Sequence, residues 1–309
     1  MTVFFQTLPF FALMGCGYFA ARIGFFGEQA TAALTKFVFY FALSAMLFRF
    51  AAELDVAEVF DISAGLAYLL PLSIVYVLAN LTAMIGGKGL GERAVEAQLA
   101  TIGNNGFLAI PLLFLVLGEN AIPMLLYILA LDLLIFSSLI VIMIQAEKEG
   151  RITRDALFRV VLAVPKNPMI VSLALGLAFA WFHIPVPKPA QQFLVTLGAA
   201  ATPCALFAIG ASLAQRSAET WVTPLWLSFL KLILHPFLAA IFALYIFNLP
   251  AITSAVIIAA SAMPTAGNIY IIAASYGVAP QRASATILIS HVGAVVTLTM
   301  ILAWVVDWV

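Results

Sequence analysis

Long apolar runs, separated by short polar or glycine-rich segments, form the dominant pattern of the chain. Each run has about the 20 residues that a helix needs to cross the hydrocarbon core of a bilayer. The runs are long and do not alternate between apolar and polar residues, which favours helices over a β-barrel. The runs lie near 3–22, 29–49, 62–85, 94–118, 121–145, 167–184, 190–214, 221–247, 251–276 and 283–307. The pattern therefore predicts an all-α integral membrane protein with ten transmembrane helices.

Composition supports this prediction and excludes several classes of protein. Of the 309 residues, 64% are apolar and 9% are charged, whereas a soluble domain has about 45–50% apolar and about 25% charged residues. An ordinary soluble domain, a nucleic-acid binder and a disordered chain are therefore excluded. Cys16 and Cys204 both lie in apolar runs, so we expect no disulfide framework, metal site or cofactor. The lipid bilayer is the expected environment.

The basic residues predict the orientation of the helices. Ten of the fourteen Lys and Arg residues fall on the loops of one side, and basic loops stay in the cytoplasm. The largest group is the central loop, with Lys148, Arg151, Arg154, Arg159 and Lys166. We therefore expect a multi-pass protein of the inner (plasma) membrane, with both termini outside and the central loop in the cytoplasm.

An internal repeat appears when the sequence is shifted by 159 residues. The shift matches the first five predicted helices to the last five, including several Pro and Gly residues. The matching pairs include Pro9 and Pro168, Gly17 and Gly176, and Gly118 and Gly277. Because each unit has an odd number of helices, the two copies are inverted in the membrane, an arrangement typical of secondary transporters. We predict one transmembrane domain over 1–309, with repeats at 1–145 and 167–309 and a loop at 146–166.

The fourth and ninth runs are interrupted at corresponding depths. The fourth contains glycines, two asparagines and Pro111 within 103–111, and the ninth contains Pro264 and Gly267 within 262–268. Proline and glycine weaken helices, and free backbone groups are tolerated in a membrane only where they line a cavity. The N-termini of the helices at such a break carry a partial positive charge, which suits an anionic group. The alternative is a pair of simple kinks whose asparagines bond between helices.

These residues resemble the auxin efflux carrier family, which includes plant PIN carriers and bacterial permeases for malonate and related acids. The stretch Asn104 to Leu112 (NNGFLAIPL) is similar to the family's fourth helix, and Met263-Pro264-Thr265 to its ninth. Asn167-Pro168 resembles the start of the family's sixth helix, and Lys231 with Pro236 resembles a pair in its eighth. The resemblance covers essentially the whole chain.

The resemblance implies a scaffold of helices one, two, six and seven, and a moving unit of helices three to five and eight to ten. The two broken helices would cross at the substrate site and move in an elevator fashion. It also implies that Asn104 contacts a carboxylate and that Pro111 and Pro264 are the crossover prolines. A homodimer would be reasonable for the family. The full set of expected substrate-binding residues is Asn104, Asn105, Gly106, Pro111, Pro264, Thr265 and Asn268.

Ionisable residues within the predicted spans form a second group of candidates, because a charge inside a membrane is costly. Asp132 and His291 occupy equivalent positions under the 159-residue shift, and Lys231 lies in the eighth helix. Each could carry a coupling proton or balance charge. The alternative for each is a structural hydrogen bond or ion pair. Arg49 ends the second helix, as an interfacial anchor or as a gate.

Together, these features predict a secondary transporter of a small organic anion, a mono- or dicarboxylate, coupled to a proton or sodium ion or to neither. Two alternatives stay open. One is a sodium-coupled symporter of the bile-acid type, and the other is a membrane receptor that binds an anion without moving it. No nucleophile–base pair or metal motif is present, so we do not expect an enzyme.

Overall fold

A computed structural model describes residues 2–54, 61–149, 167–214 and 221–309. Within these ranges the chain is helical, and the only β-type pairing is an isolated bridge between Gly103 and Thr265. Most of the predicted central loop at 146–166, with its basic cluster, lies outside the described residues, as does Arg216.

The described helices follow the order of the predicted runs. The first five predicted spans correspond to α1 to α6, and the last five to α7 to α12, because the fourth and the ninth are each divided into two helices. In chain order they are α1 (Thr2–Arg22), α2 (Glu28–Ala52), α3 (Ile62–Ile85), α4 (Leu90–Thr101), α5 (Asn105–Leu117), α6 (Glu119–Glu147), α7 (Pro168–Trp181), α8 (Lys188–Ala214), α9 (Val222–Ile246), α10 (Ala251–Ser261), α11 (Asn268–Tyr276) and α12 (Pro280–Val306).

Six of the described helices are long and apolar enough to cross a membrane: α2, α3, α6, α8, α9 and α12. The helices α5, α7 and α10 are apolar but shorter. Several helices begin and end where the local sequence requires it. At α7, for example, Asn167 accepts a hydrogen bond from the Met169 amide at 3.0 Å, with Pro168 as the first helical residue, a favourable N-terminal pair. The six long apolar helices make the protein a multi-pass membrane protein.

The chain forms two compact units. The first comprises 1–61, 106–127 and 164–215, and the second comprises 62–105, 128–163 and 216–309. The first thus holds the four helices that the resemblance assigns to a scaffold, together with residues 106–127. Those residues, which include Pro111, were expected in the moving part.

In the first unit, glycines allow two pairs of helices to pack backbone against backbone. A Cβ atom added at Gly17 in α1 would lie 2.8 Å from the carbonyl carbon of Phe207 in α8, and one at Gly210 would lie 2.7 Å from that of Met14. A Cβ at Gly176 in α7 would lie 2.7 Å from the carbonyl oxygen of Phe48 in α2. Small residues commonly mediate such packing between membrane helices.

In the second unit, charged groups tie the ends of helices together. Arg282 in α12 forms an ion pair and hydrogen bond with Glu96 in α4, and it lies 3.7 Å from Glu92. The carboxylate of Glu147 in α6 accepts a hydrogen bond of 2.9 Å from the Gly91 amide, in the first turn of α4. A carboxylate at this end of a helix satisfies a free N–H group and complements the helix dipole.

Candidate functional site

The two interruptions expected in the fourth and ninth spans lie against each other in the second unit. The Asn104 amide donates to the Pro264 carbonyl at 2.8 Å, and the Ala266 amide donates to the Ile102 carbonyl at 3.0 Å. Gly103 permits this approach, because a Cβ there would lie 3.1 Å from the Met263 Cβ. We call 102–105 and 263–266 the junction.

The structure gives the two neighbouring asparagines different environments. The Asn105 side chain donates to Asp132 Oδ2 at 2.7 Å and to the Tyr68 hydroxyl at 3.4 Å. The Asn104 side chain is also buried, at 4% exposure, yet no described residue forms a hydrogen bond with it. The Asn105 side-chain nitrogen is therefore part of an internal network, although the Oδ1 atom of Asn105 has no partner among the described residues. The Asn104 side chain takes no part in that network.

Asp132 is the centre of that network. Its Oδ1 atom accepts a hydrogen bond of 2.7 Å from the Tyr68 hydroxyl, and its Oδ2 atom accepts the bond from Asn105. Asp132, at 4% exposure, is almost wholly buried, at the start of a π-helical turn of α6. The network fastens the junction to α3 and α6.

Thr265 is held by protein partners on both sides. Its hydroxyl donates to the Leu99 carbonyl at 2.9 Å, and its amide donates to the Ser290 hydroxyl at 3.2 Å. Thr265 is fully buried, so its polar groups support the junction rather than facing an open site. The backbone N–H groups of Asn104 and Ala266 are likewise occupied, because they donate to carbonyls across the junction.

The remaining expected substrate-binding residues are spread over the two units. Pro264 contributes its carbonyl to the junction, and Asn268 begins α11 with an exposed side chain. Gly106 and Pro111 belong to the first unit. The first unit holds a cavity of about 230 Å³ that Pro111 lines, together with residues of α2, α5 and α8.

Lys231 and His291 also have defined partners. The Lys231 ammonium donates to the Ser261 carbonyl at 2.6 Å and lies 3.1 Å from His235 Nδ1. Ser261 is the last residue of α10, and a cation there complements the negative end of the helix. His291 Nδ1 lies 2.8 Å from the Ile287 carbonyl of its own helix, an oxygen that can only accept a hydrogen bond.

Sequence reasoning missed Tyr68, Ser261 and Ser290 as partners of the candidate residues. Each is a polar residue in a predominantly apolar helix, which is a usable signal. Their partners are 64, 30 and 25 residues away along the chain. The sequence alone therefore could not assign them.

The fold and the junction define a class of protein. Apolar helices of spanning length, with two interrupted helices whose backbones pair, are typical of membrane transporters. Comparison with known proteins gives the same class and also identifies a family.

The model of the membrane transport protein family matches residues 2–302 of this chain. The chain belongs to this family, the auxin efflux carrier family that its motifs resemble. It is also 31% identical over 306 residues to the "Putative malonate transporter" of Rhizobium meliloti (strain 1021), covering 96% of this chain and 93% of that protein. Both findings indicate a transporter rather than an enzyme.

Proposed function

We propose that the protein is a secondary transporter that carries a small carboxylate, of the size and charge of malonate, across the inner membrane. The observation that carries this proposal is the side chain of Asn104 at the junction, which is 4% exposed and forms no hydrogen bond with the described residues. An asparagine NH₂ group offers two hydrogen-bond donors to a carboxylate. The name of the Rhizobium relative supports a dicarboxylate as the substrate class.

The N-terminus of α11 is a second feature that favours an anion. Gly267 precedes this helix and provides no side-chain cap, and Asn268 is its first residue. The free N–H groups and the dipole at such an end attract a carboxylate. Asn104 therefore supplies the specific donor, and α11 supplies a partial positive charge.

The inverted repeat forms part of the proposal and is supported by matched packing. Gly17 approaches the carbonyl of Phe207, and Gly176 approaches the carbonyl of Phe48; the 159-residue shift relates both pairs. Positive φ angles also recur at shifted positions, with 79° at Gly118 and 69° at Gly277. Two inverted five-helix repeats within one domain, 1–309, account for these equivalences.

An elevator movement is the proposed mechanism. The division of the chain into two compact units supports one unit as a scaffold and the other as the carrier of the junction. Under the orientation predicted from the basic residues, both termini are outside the cell. A homodimer would hold the scaffold steady in the membrane.

Coupling to an ion is proposed to involve Asp132, Lys231 or His291. Asp132 is the one carboxylate in the Tyr68–Asn105 network, so protonation there would weaken the attachment of the junction to α3. Sodium coupling is the alternative. Transport assays with separate proton and sodium gradients distinguish the two.

Uptake of radiolabelled malonate into liposomes tests the function. We expect Asn104→Ala to reduce uptake at least tenfold without lowering the melting temperature, because the Asn104 side chain has no protein partner to lose. Asn120→Ala is the matched control, since Asn120 is exposed in the 3₁₀ turn that begins α6. Normal uptake by Asn104→Ala would refute the assigned site.

A membrane receptor that binds an anion without transport gives a different result in the same experiment. The receptor would bind malonate and lose binding in Asn104→Ala, yet the wild-type liposomes would accumulate none. Saturable accumulation by the wild-type protein excludes that function.

A further inference from the structure

The helix α12 makes two polar contacts on one side, the first with α4 and the second with the junction. Near its start, Arg282 forms an ion pair and hydrogen bond with Glu96 of α4. Further along, the Ser290 hydroxyl accepts a hydrogen bond of 3.2 Å from the Thr265 amide. Arg282 and Ser290 are eight residues apart, or about 12 Å along the helix axis. The ion pair and the junction are therefore connected by two turns of one helix.

The helix α4 makes the corresponding pair of contacts. Its Glu96 side chain binds Arg282, and three residues later its Leu99 carbonyl accepts a hydrogen bond of 2.9 Å from the Thr265 hydroxyl. Thr265 is thus bonded to α4 through its side chain and to α12 through its backbone. Both bonds form only when the two helices keep one spacing and one register.

The pair of Arg282 and Glu96 is buried enough to set that register. The Glu96 side chain is 4% exposed and the Arg282 side chain is 18% exposed. Arg282 also lies 3.7 Å from Glu92, one turn before Glu96 on the same helix. Exposed ion pairs contribute little stability, whereas separating the partners of a buried pair is strongly unfavourable. Sliding or rotation of α12 against α4 therefore carries a large cost at this end.

We propose that Arg282 is a positioning residue for the junction. It does not contact the substrate; by holding α12 against α4 it sets the gap that Thr265 bridges. The neighbouring Pro264 carbonyl, which accepts the hydrogen bond of the Asn104 amide at 2.8 Å, is aligned through Thr265. The consequence for substrate affinity rests on the proposed function, whereas the consequence for the junction itself does not.

Hydrogen–deuterium exchange of the full chain in phosphatidylcholine nanodiscs tests the proposal without any substrate. The variant combines Arg282→Met with Glu96→Met, because replacing both partners of a buried ion pair by apolar side chains leaves no unpaired charge. We expect the N–H groups of 263–266 to exchange at least fivefold faster than in the wild type. Arg282→Lys, which keeps the charge beside Glu96, should stay within twofold of the wild type. Unchanged exchange at 263–266 in the double variant would overturn the proposal.

Arg93→Met is the matched control. Arg93 also lies in α4, and it donates hydrogen bonds of 2.6 and 3.1 Å to the Asn80 side chain of α3. The control therefore removes an arginine contact near the same end of α4 but leaves the contact with α12 intact. Its expected effect on exchange at 263–266 is less than twofold. Equal acceleration by Arg93→Met would mean that any loosening of α4 disturbs the junction, and would overturn the role of Arg282.

Ser290→Ala tests the path from Arg282 to the junction. This variant removes the hydroxyl that accepts from the Thr265 amide. Changes that act through one shared contact are not additive. In the Ser290→Ala background, the two methionine substitutions should therefore accelerate exchange at 263–266 by less than a further twofold. The full fivefold effect in that background would overturn the proposed path.

Malonate uptake into liposomes separates positioning from stability. We expect the double methionine variant to raise the KM for malonate at least threefold at an unchanged melting temperature, whereas loss of folded protein alone would lower the maximal rate and leave KM unchanged. If wild-type liposomes accumulate no malonate, transport is wrong, and the exchange results still decide the role of Arg282. If they accumulate malonate while the double variant changes neither exchange nor KM, transport stands and the positioning role is wrong.

Discussion

Replacing Gly17 by alanine tests the close packing of α1 against α8. The added Cβ would lie 2.8 Å from the Phe207 carbonyl carbon and 3.0 Å from the Ala211 nitrogen, whereas ordinary contacts lie at 3.4–4 Å. Backbone atoms cannot rotate away, so the helices must move apart, and overpacking of this kind costs about 1–3 kcal/mol. Part of this packing cost is offset, because the helix propensity of alanine is about 1 kcal/mol more favourable than that of glycine.

Gly15→Ala is the matched control for that prediction. Gly15 lies two residues earlier in α1, is exposed, and would place an added Cβ with no atom within 4 Å. Both variants gain the same propensity, so the difference between them isolates the packing cost of about 1–3 kcal/mol.

Thermal unfolding in detergent, followed by tryptophan fluorescence, measures the difference between the two variants. At about 2–4 °C per kcal/mol for a large domain, Gly17→Ala should melt about 2–12 °C below Gly15→Ala. Equal melting temperatures would refute the inference that α1 and α8 pack backbone against backbone.

Two further predictions concern buried polar groups of the second unit. Arg282→Gln leaves the Glu96 carboxylate, 3% exposed, without its ion partner and should destabilise the protein by roughly 2–4 kcal/mol; adding Glu96→Gln should recover more than half of the lost melting temperature, and no recovery would contradict the pairing. Tyr68→Phe removes the 2.7 Å hydrogen bond to Asp132 and should cost about 1.5–3 kcal/mol, a cost that shrinks in an Asp132→Asn background if the two groups are coupled.

The positions of the helices could be predicted from the sequence because the thickness of the bilayer sets the length of the apolar run that a spanning helix needs. The two interruptions were also predictable, since Pro264 and the glycines around Asn104 weaken any helix that contains them. The confirmed features are the membrane class and the family, both of which depend on patterns that extend over the whole chain.

The partners of individual polar residues could not be predicted. Asn104 and Asn105 are adjacent and chemically identical, yet only Asn105 joins Asp132 and Tyr68. The rotation of one helix against its neighbours decides which side chain meets which, and hydropathy does not record that rotation. The cavity beside Arg49 was missed for the same reason, because its lining residues come from three separate helices.

The contact between Gly17 and Phe207 joins positions about 190 residues apart, which constrains how the protein is made. At about 5–20 residues per second, the ribosome needs roughly 10–40 seconds after α1 to produce its partner in α8. During that interval the glycine face of α1 has only lipid or the insertion machinery against it. The first half of the chain therefore cannot complete its own packing, and the first compact unit is assembled only when most of the protein has entered the membrane.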